Sequence, residues 1–403
     1  MNTLTIRDVD VNNKRVVVRV DFNVPVNSNG QITDDGRIRA SVPTLEYLVD
    51  RGAKVILMSH MGRPDGKYNP SMSLSVTAER LAAIMRHPVG FVGTCVGPEV
   101  EQAVGDMSEG DIIVLENLRF HPEEESNDPD FADQLAKLGD IFVDDAFGTA
   151  HRSHASIVGI ATRLPSYAGL LLEKEIISLG HILEKPDRPF CVLFGGAKIS
   201  DKVKLLENVL DKVDTILVGG GMAATFLKAN NYEIGNSMVD ENLELAAKIM
   251  AKAKSHNIKL LLPRDVIVTG DLTPEARGVC VPVENIPPLG RIVDIGLLTI
   301  SLFTKELERC RTVFWNGPMG IYEIPQFSEG TKAMAEVIGR LHATTIIGGG
   351  STAEIVAELK MAEKMSFVST GGGSSMLFLS GETLPGVEVL KTKHDVCGKG
   401  FTL

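Results

Sequence analysis

Short apolar, β-branched runs alternate with longer segments of helical period along the whole chain, and this alternation constrains the fold more than any other feature. The pattern is typical of parallel sheets that helices cover on both faces. The runs of the first half are RVVVRV from Arg15, KVILMS from Lys54, DIIVLE from Asp111 and DIFVDD from Asp140. The second half has FCVLF from Phe190, TILV from Thr215, LLLP from Leu260, TVFW from Thr312, TTII from Thr344 and MSFVS from Met365. We therefore predict an α/β protein with two doubly wound parallel sheets.

The two series of runs predict two domains. A chain of 403 residues, 44% of them hydrophobic, is long enough for two or three. Between the series, residues 168–184 carry apolar side chains at helical spacing and are bounded by Pro165 and Pro186. We interpret this segment as a helix that joins the domains, although the periodicity fits an outer helix of one domain equally well.

Charge and cysteine usage exclude several classes of protein. A formal net charge of −11 opposes broad attraction to nucleic acid or to an anionic membrane surface. The cysteines Cys95, Cys191, Cys280, Cys310 and Cys397 form no C-x-x-C pair, so we expect reduced core thiols rather than a disulfide framework or a zinc site. The N-terminal MNTLTIRDVD lacks a leader pattern, and no apolar run reaches the roughly 18 residues of a membrane span, so we expect a cytoplasmic protein.

Hydrogen-bonding and cationic residues follow the runs of the first half. Ligands of open α/β sheets bind outside the carboxyl ends of the strands, and arginine pairs bidentately with carboxylate or phosphate. The residues at these ends are Asp21, Phe22 and Asn23, then His60, Met61, Gly62 and Arg63, then Arg119, then Arg152, with Arg37 in a predicted loop. Any one of these residues could simply form a surface salt bridge. Because similar polar and cationic groups follow four strands, they predict a site for a small anion. The histidines match no familiar metal-ligand spacing.

Glycine clusters follow the runs of the second half. They are Gly195-Gly196, Gly219-Gly220-Gly221, Gly348-Gly349-Gly350 and Gly371-Gly372-Gly373, and each precedes a predicted helix. Glycine allows close approach of the backbone to a ligand, and a helix N-terminus favours phosphate. One cluster could serve turns or packing alone, but four predict a nucleotide site. We predict Ser200 as a helix N-cap, and we explain Lys202, early in that helix, by a bound phosphate.

Eight longer motifs carry a resemblance to a known family. RVDFNVP, SHMGRP, ENLRF, DAFGTAHR, GGAKISDK, GGGMAATFLKA, WNGPMGIYE and STGGGSS occur in this order. From about residue 4 to its end, the chain resembles the phosphoglycerate kinases. The resemblance implies domains at 1–168 with 390–403 and at 186–389, joined by a helix at 169–185, with a cleft between them.

The resemblance also implies the residues of two sites. The 3-phosphoglycerate site comprises Asp21, Phe22, Asn23, Arg37, His60, Met61, Gly62, Arg63, Arg119 and Arg152. The nucleotide site comprises Lys198, Lys202, Gly219, Gly220, Asn316, Glu323, Gly349, Gly350, Ser351 and Thr352. Gly371, Gly372 and Gly373 match glycines that meet the transferring phosphoryl group.

Three positions depart from the family's pattern. Ser351 stands where the family usually has Asp, and a hydroxyl is a poorer Mg²⁺ ligand than a carboxylate. The G-L-D-I-G-P motif reads IVDIGL at residues 292–297, which implies a differently shaped adenine pocket. Asp144 replaces the usual Asn and adds a negative charge at the sheet edge. Separately, we predict that the acidic run at 123–125 is a solvated helix start.

The implied reaction is reversible phosphoryl transfer between 1,3-bisphosphoglycerate and ADP, giving 3-phosphoglycerate and ATP. The acceptor carboxylate is already ionised, so no general base is needed. Arg37 and Lys202 are the expected catalytic cations, the N–H groups around Gly371 to Gly373 the expected cradle, and Mg²⁺ is expected on ATP or ADP rather than in a protein-only site. Hinge closure near 168–184 and a monomeric state are further expectations, with no nucleic acid or membrane partner.

Two rival functions stay open from the sequence. A non-catalytic nucleotide-binding protein would fit the missing carboxylate at Ser351. A nicotinamide dehydrogenase would need G-x-G-x-x-G after its first strand, with an acidic residue about 20 positions later, and no cluster here has that form.

Overall fold

The computed structural model describes residues 3–273 and 275–395, with the backbone alone for 391–395. These residues form two compact units. The first unit comprises the described chain up to Ile177 together with the segment from Thr383 onward, and the second runs from Ser178 to Glu382. The boundary between the units therefore falls inside the 168–184 segment.

A six-stranded, wholly parallel sheet forms the centre of the first unit. Its strands are β1 (Arg15–Arg19), β2 (Lys54–Met58), β3 (Val89–Val92), β4 (Ile112–Leu115), β5 (Ile141–Asp144) and β6 (Ser166–Ala168), in the order β3-β4-β2-β1-β5-β6. Val16 and Val18 pack into one apolar cluster and Val17 into the cluster on the other face. Burial on both faces explains why the first-half runs are continuously apolar. The short edge strands β3 and β6 were not predicted.

Helices cover both faces of this sheet. They are α1 (Gly36–Val49), α2 (Ser75–Met85), α3 (Pro98–Gly105), α4 (Pro122–Glu125), α5 (Pro129–Lys137) and the first part of α6 (Leu170–Glu184), with a π-helical turn at Ala155–Gly159. Proline occupies the first position of α3, α4 and α5, where its missing N–H costs nothing. Asp128 caps α5 by accepting the N–H of Phe131 at 2.9 Å.

The second unit also has a six-stranded parallel sheet at its centre. The strands of this unit are β7 (Phe190–Phe194), β8 (Thr215–Val218), β9 (Lys259–Leu261), β10 (Asp265–Thr269), β11 (Val279–Pro282), β12 (Arg291–Ile295), β13 (Thr312–Asn316), β14 (Thr344–Ile347) and β15 (Phe367–Val368). The parallel sheet has the order β15-β14-β13-β7-β8-β9. The predicted α/β class with two doubly wound parallel sheets is confirmed.

Strands β10, β11 and β12 form a separate antiparallel sheet in the order β11-β10-β12, which the sequence pattern did not predict. The helices of the second unit are the last part of α6, α7 (Val203–Leu210), α8 (Gly220–Ala229), α9 (Leu243–Ser255), α10 (Leu297–Leu307), α11 (Glu329–Ile338), α12 (Gly350–Glu358) and α13 (Gly373–Leu379). The last helix, α14 (Pro385–Asp395), belongs to the first unit.

The return of the chain to the first unit begins earlier than residue 390. Gly386 donates its backbone N–H to the carbonyl oxygen of Ala150 at 2.8 Å, and α14 packs on the Ala155–Gly159 turn and on β6. Residues 396–403 of the predicted returning segment lie outside the described residues. The division into 1–168 with 390–403, 169–185 and 186–389 stays a proposal.

Cys95, Cys191 and Cys310 are buried free thiols, as expected, whereas Cys280 is exposed. Cys397 lies outside the described residues. Within the described part of the chain, no helix combines the length and the apolar character that a membrane crossing requires.

Candidate active site

The carboxyl ends of β1, β2, β4 and β5 meet at one edge of the first unit's sheet, because these neighbouring strands are parallel. Hydrogen bonds connect the residues that follow them. Gly62, after β2, donates its N–H to Asn23 Oδ1 at 2.9 Å, and Arg119 Nη1 donates to the Gly62 carbonyl at 2.7 Å. Arg37 Nη1 pairs with Asp21 Oδ2 at 2.8 Å. The predicted anion-site residues therefore come from separate strand ends to one edge.

Arg119 is the most enclosed of the predicted arginines at this edge, with 5% of its surface exposed. It lies in a 3-10 turn, Leu118–Phe120, whose start Asn117 fixes by accepting the Arg119 N–H at 3.0 Å. Asn117 Nδ2 in turn donates to the Met61 carbonyl at 2.7 Å, which joins the β4 end to the β2 end. This local network orients the guanidinium before any ligand binds.

Three buried guanidinium nitrogens at this edge have no hydrogen-bond partner among the described residues: Nε and Nη2 of Arg119, and Nε of Arg152. Glu125 Oε1 lies 3.0 Å from Arg119 Nε and 3.9 Å from Arg152 Nη1. The shorter contact is an ion pair whose N–H is not aligned for a hydrogen bond. Buried donors without acceptors are costly, and an anion at this edge would supply the missing acceptors.

His60 does not add a positive charge to this edge. Burial, followed by the charges of Arg19, Arg119, Arg152 and Arg37, lowers the pKa of its imidazole well below the ordinary value. The ring is therefore neutral at pH 7. Burial and the charge of Arg152 likewise lower the pKa of His151.

The sequence analysis missed Arg19, which is 1% exposed at the end of β1. Its Nη2 lies 3.2 Å from His60 Nδ1, and its Nε donates to Ser156 Oγ at 3.0 Å. The available signal was a charged residue inside an otherwise apolar, fully buried run.

The prediction of a solvated acidic helix start at 123–125 was wrong for Glu124, which is completely buried. Burial raises the pKa of Glu124, but the hydrogen bond from His154 and the charge of Arg19 outweigh it and hold the pKa below its ordinary value. The carboxylate accepts the N–H and the hydroxyl of Ser156 at 2.9 and 2.6 Å. It is a buried counter-charge to the arginines.

The other predicted residues of this edge have separate positions. Phe22 is fully buried and donates its N–H to Ser59 Oγ at 2.8 Å, and Met61 is buried as well. Arg63 is exposed. Arg37 lies in the first turn of α1 rather than in the predicted loop.

The second unit gathers its glycine clusters in the same way, at the carboxyl ends of β7, β8, β14 and β15. At Gly195 an added Cβ would lie 2.1 Å from the Pro318 carbonyl oxygen, and at Gly220, with φ +62°, it would lie 2.5 Å from the Gly196 nitrogen. These glycines allow the backbones of adjacent loops to pass each other closely. Gly219 stands at the N-cap of α8.

Lys202 reaches into this edge from a 3-10 turn, Ser200–Lys202, that precedes α7. Its Nζ donates to the carbonyl oxygens of Gly195 at 2.6 Å and Asn316 at 3.1 Å. Burial lowers the pKa of Lys202 to about 7. Ser200 is not the predicted N-cap; its backbone N–H donates to Asp240 Oδ2 at 2.9 Å.

Asn316 ends β13 and connects its end to those of β7 and β14. Its carbonyl oxygen accepts the Gly195 N–H at 2.9 Å, and its Nδ2 donates to the Gly348 carbonyl at 2.7 Å. Its buried Oδ1 has no hydrogen-bond partner in the part of the chain that the structure describes. Thr352 Oγ1 accepts the Gly317 N–H at 2.7 Å and so ties α12 to the loop after β13. Gly349, with φ +90°, is the N-cap of α12.

The remaining predicted residues lie on the surface or at another helix start. Lys198, Glu323, Gly350 and Ser351 are exposed. Gly371, Gly372 and Gly373 precede or begin α13, where Gly371 donates its N–H to Ser369 Oγ at 3.1 Å. An added Cβ at Gly372 or Gly373 would meet no atom of the described residues within 4 Å.

Comparisons with known proteins identify the family. The family profile described as "Phosphoglycerate kinase" matches residues 6–382. The phosphoglycerate kinase of Pelotomaculum thermopropionicum is 50% identical over 390 residues, covering 96% of this chain and 99% of that protein. That of Moorella thermoacetica is 49% identical over 394 residues, covering 98% and 100%.

Solved structures agree as well. The structure of phosphoglycerate kinase from Coxiella burnetii has a TM-score of 0.88 at 38% identity, covering 97% of this chain and 100% of that chain. The enzyme from Pyrococcus horikoshii has a TM-score of 0.83 at 29% identity, covering 97% and 99%. The chain described here belongs to the phosphoglycerate kinase family.

Proposed function

We propose that the arginine-bearing edge of the first unit binds 3-phosphoglycerate, within an enzyme that moves a phosphoryl group reversibly between 1,3-bisphosphoglycerate and ADP. As a member of its family, the chain is a phosphotransferase with a carboxyl group as acceptor. The observation that carries the substrate assignment is the set of buried N–H groups on Arg119 and Arg152 that have no hydrogen-bond acceptor among the described residues, although Arg119 Nε is ion-paired with Glu125. A phosphate or carboxylate supplies the acceptors that these groups lack.

The glycine-bearing edge of the second unit is the proposed site for ATP and ADP. Lys202 supports this assignment because its ammonium group is buried against neutral carbonyl oxygens, and no carboxylate of the described residues forms an ion pair with it. The start of α12, at Gly349 and Gly350, adds backbone N–H groups that suit phosphate.

Mg²⁺ is proposed to arrive with the nucleotide. Among the described residues no group of three or more His, Cys, Asp or Glu side chains is arranged to hold a metal ion. Ser351 offers a hydroxyl on the exposed first turn of α12, whereas Thr352 Oγ1 is occupied by the Gly317 N–H. This donor set fits an ion that keeps phosphate and water as its main ligands. When bound, the ion neutralises phosphate charge.

The chain's own residues then have three tasks. Arg119, Arg152 and the neutral His60 hold the acceptor by its anionic groups, and no residue has to remove a proton because the acceptor carboxylate is already ionised. Arg37 and Lys202 offset charge that spreads over the transferring group, and the N–H groups around Gly371 to Gly373 cradle it. Positioning and charge neutralisation therefore account for the proposed catalysis.

Because the two proposed sites belong to different units, transfer requires the units to close on each other. We propose a hinge within 168–184, where the unit boundary falls between Ile177 and Ser178. Small-angle scattering should report a smaller radius of gyration with both ligands than with either one. An unchanged radius with both ligands would overturn the hinge.

A coupled assay tests the function itself, with Arg119→Gln as the informative variant. Loss of charge-assisted hydrogen bonds should raise the KM for 3-phosphoglycerate by about 10- to 100-fold while the nucleotide KM stays near the wild-type value. Arg163→Gln is the matched control, since Arg163 pairs with Asp133 and with backbone carbonyls of Pro129 and Gly159. No turnover by the pure wild-type protein would favour the rival nucleotide-binding protein.

The remaining expectations stay proposals: a monomer that acts in the cytoplasm on small-molecule substrates alone. Light scattering coupled to gel filtration measures the mass in solution, which should equal the 43.5 kDa of one chain if the protein is a monomer. Fractionation of the source cells tests the cytoplasmic location.

A further inference from the structure

Arg19 is enclosed within the first unit, next to the proposed substrate site but not on its surface. With 1% of the residue exposed, its guanidinium has no direct access to a ligand. Its three nitrogens have separate acceptors: Nε donates to Ser156 Oγ at 3.0 Å, Nη1 to the Val20 carbonyl oxygen, and Nη2 lies 3.2 Å from His60 Nδ1. Arg19 is therefore fixed against the ring of His60.

This contact determines where the imidazole carries its proton. A guanidinium has only N–H donors and no acceptor, and it stays protonated in proteins. His60 Nδ1 must accept, so it carries a lone pair. A neutral imidazole with an unprotonated Nδ1 has its hydrogen on Nε2. The lowered pKa of His60, which burial and the neighbouring arginines produce, agrees with a neutral ring.

The second ring nitrogen, Nε2, makes no hydrogen bond with any residue whose side chain is described. The N–H groups of Arg119 and Arg152 that lack a hydrogen-bond acceptor among the described residues belong to the same edge. A neutral N–H donor beside these cations adds a hydrogen bond for an anion without adding another positive charge to a crowded cluster.

We propose that Arg19 is a positioning residue that holds His60 as its Nε2-protonated neutral tautomer, so that the ring donates an N–H to the anionic substrate. The proposal rests on the proposed function, because it takes the first unit's edge as the 3-phosphoglycerate site. It assigns no substrate contact to Arg19 itself.

The position of Arg19 is itself held by a buried chain of hydrogen bonds. Ser156 Oγ donates its hydrogen to Glu124 Oε1 at 2.6 Å and therefore accepts from Arg19. Glu124 also accepts the Ser156 N–H at 2.9 Å and lies 3.5 Å from His154 Nδ1. Its negative charge compensates the buried guanidinium. This chain ties the tautomer of His60 to residues of α4 and of the Ala155–Gly159 turn.

Nitrogen-15 NMR of the histidine side chains tests the tautomer in the ligand-free, full-length protein. At pH 7 the His60 signals, assigned by their loss in His60→Gln, should show an unprotonated Nδ1 and a protonated Nε2. Arg19→Met should shift them toward a mixture of tautomers, while Arg163→Met should leave them unchanged. Should Arg19→Met fail to fold, Ser156→Ala, which removes the acceptor for Arg19 Nε, is the second variant. A protonated Nδ1 in the wild-type protein overturns the proposal.

Two amide substitutions test the function of the Nε2 donor. The amide nitrogen of Gln can occupy the place of Nε2, whereas that of Asn occupies the place of Nδ1. His60→Gln should therefore keep the KM for 3-phosphoglycerate within about threefold, and His60→Asn should raise it by about tenfold or more, with the nucleotide KM unchanged in both. Equal increases in the two variants overturn the proposal. Absence of any kinase turnover would instead count against the proposed function, while the NMR spectrum still decides the tautomer.

Discussion

Lys202 donates from its buried Nζ to the carbonyl oxygen of Gly195 at 2.6 Å, a contact that satisfies hydrogen bonding without compensating charge. The second acceptor, the Asn316 carbonyl, is also neutral. Burial consequently lowers the pKa of Lys202 from its ordinary 10.5 to about 7. A phosphate bound at the proposed nucleotide site would supply negative charge and so offset the free energy that burial of the charged lysine costs the ligand-free protein.

Lys202→Met should separate this cost from the contribution of Lys202 to catalysis. Loss of a transition-state cation should lower kcat by about 10²- to 10³-fold. Because the variant no longer buries an amine, it should melt at a higher temperature than wild type at pH 7 in the absence of ligand. Between pH 7 and 10.5 the unfolded chain binds the lysine proton more readily than the folded one, so wild-type stability rises with pH. The melting-temperature difference should therefore shrink toward pH 10.

Lys198→Met is the matched control for this pH dependence, since Lys198 is an exposed lysine near the same turn. Its melting curve should follow the wild-type curve across the same pH range. A constant difference between Lys202→Met and wild type from pH 7 to 10 would mean that Lys202 keeps an ordinary pKa in the folded protein.

Gly349→Ala should disturb the nucleotide edge through its backbone. Gly349 has φ +90°, and an added Cβ would lie 2.5 Å from Asn316 Nδ2. We expect a loss of about 1 to 3 kcal/mol in the free energy of unfolding and a higher nucleotide KM, because the Asn316 side chain must move. Gly270→Ala is the control, since a Cβ there meets nothing within 4 Å. Equal unfolding midpoints in denaturant for both variants would contradict the clash.

The fold was predictable because every long parallel strand is buried on both faces and so appears as a continuous apolar run. Residues that follow those runs, such as Asn23, His60 and Arg119, were found because parallel strands end at one edge. The pattern did not single out the short edge strands β3 and β6 or the antiparallel strands β10 to β12. Strands β3 and β11 are largely exposed and β6 has only 3 residues, whereas β10 is mostly buried but pairs antiparallel outside the main sheet. Their packing depends on contacts distant in sequence.

The missed part of the site is its buried support. Arg19 and Glu124 are charged residues that local sequence places on a strand and in a surface-like acidic run. Only the tertiary structure buries both and lets each compensate the other. A single sequence therefore indicates the residues at strand ends more readily than the buried residues that position them.

Asp294 is a buried carboxylate that ties β12 to the start of α11, and Asp294→Asn should weaken nucleotide binding. Its Oδ1 accepts the Ile295 N–H at 2.8 Å and its Oδ2 the Gly330 N–H at 2.7 Å. An amide NH₂ in place of either oxygen would place a hydrogen-bond donor against a backbone N–H, which is also a donor. We expect the nucleotide KM to rise several-fold, because the loop carrying Glu323 lies between β13 and α11, while the KM for 3-phosphoglycerate stays unchanged.

Asp211→Asn is the control for Asp294→Asn, because Asp211 is exposed and its partners, Lys252 and His256, are surface residues of the same unit. Its kinetic constants should match those of wild type. A rise in the KM for 3-phosphoglycerate in Asp294→Asn equal to that for the nucleotide would show a general loss of structure rather than a local effect on the loop.

Ser351→Asp should lower the Mg²⁺ concentration that gives half-maximal rate. Ser351 lies on the exposed first turn of α12, after the N-cap Gly349, where a carboxylate is compatible with the helix dipole. If the proposed nucleotide brings its Mg²⁺ to this turn, the carboxylate would be a better ligand than the hydroxyl. Ser301→Asp, an exposed position within α10, adds the same charge elsewhere in the unit and serves as the control. Titration of Mg²⁺ at fixed nucleotide concentration measures both variants. If they shift the half-maximal concentration equally, the effect is one of net charge, and residue 351 lies outside the coordination sphere of the metal.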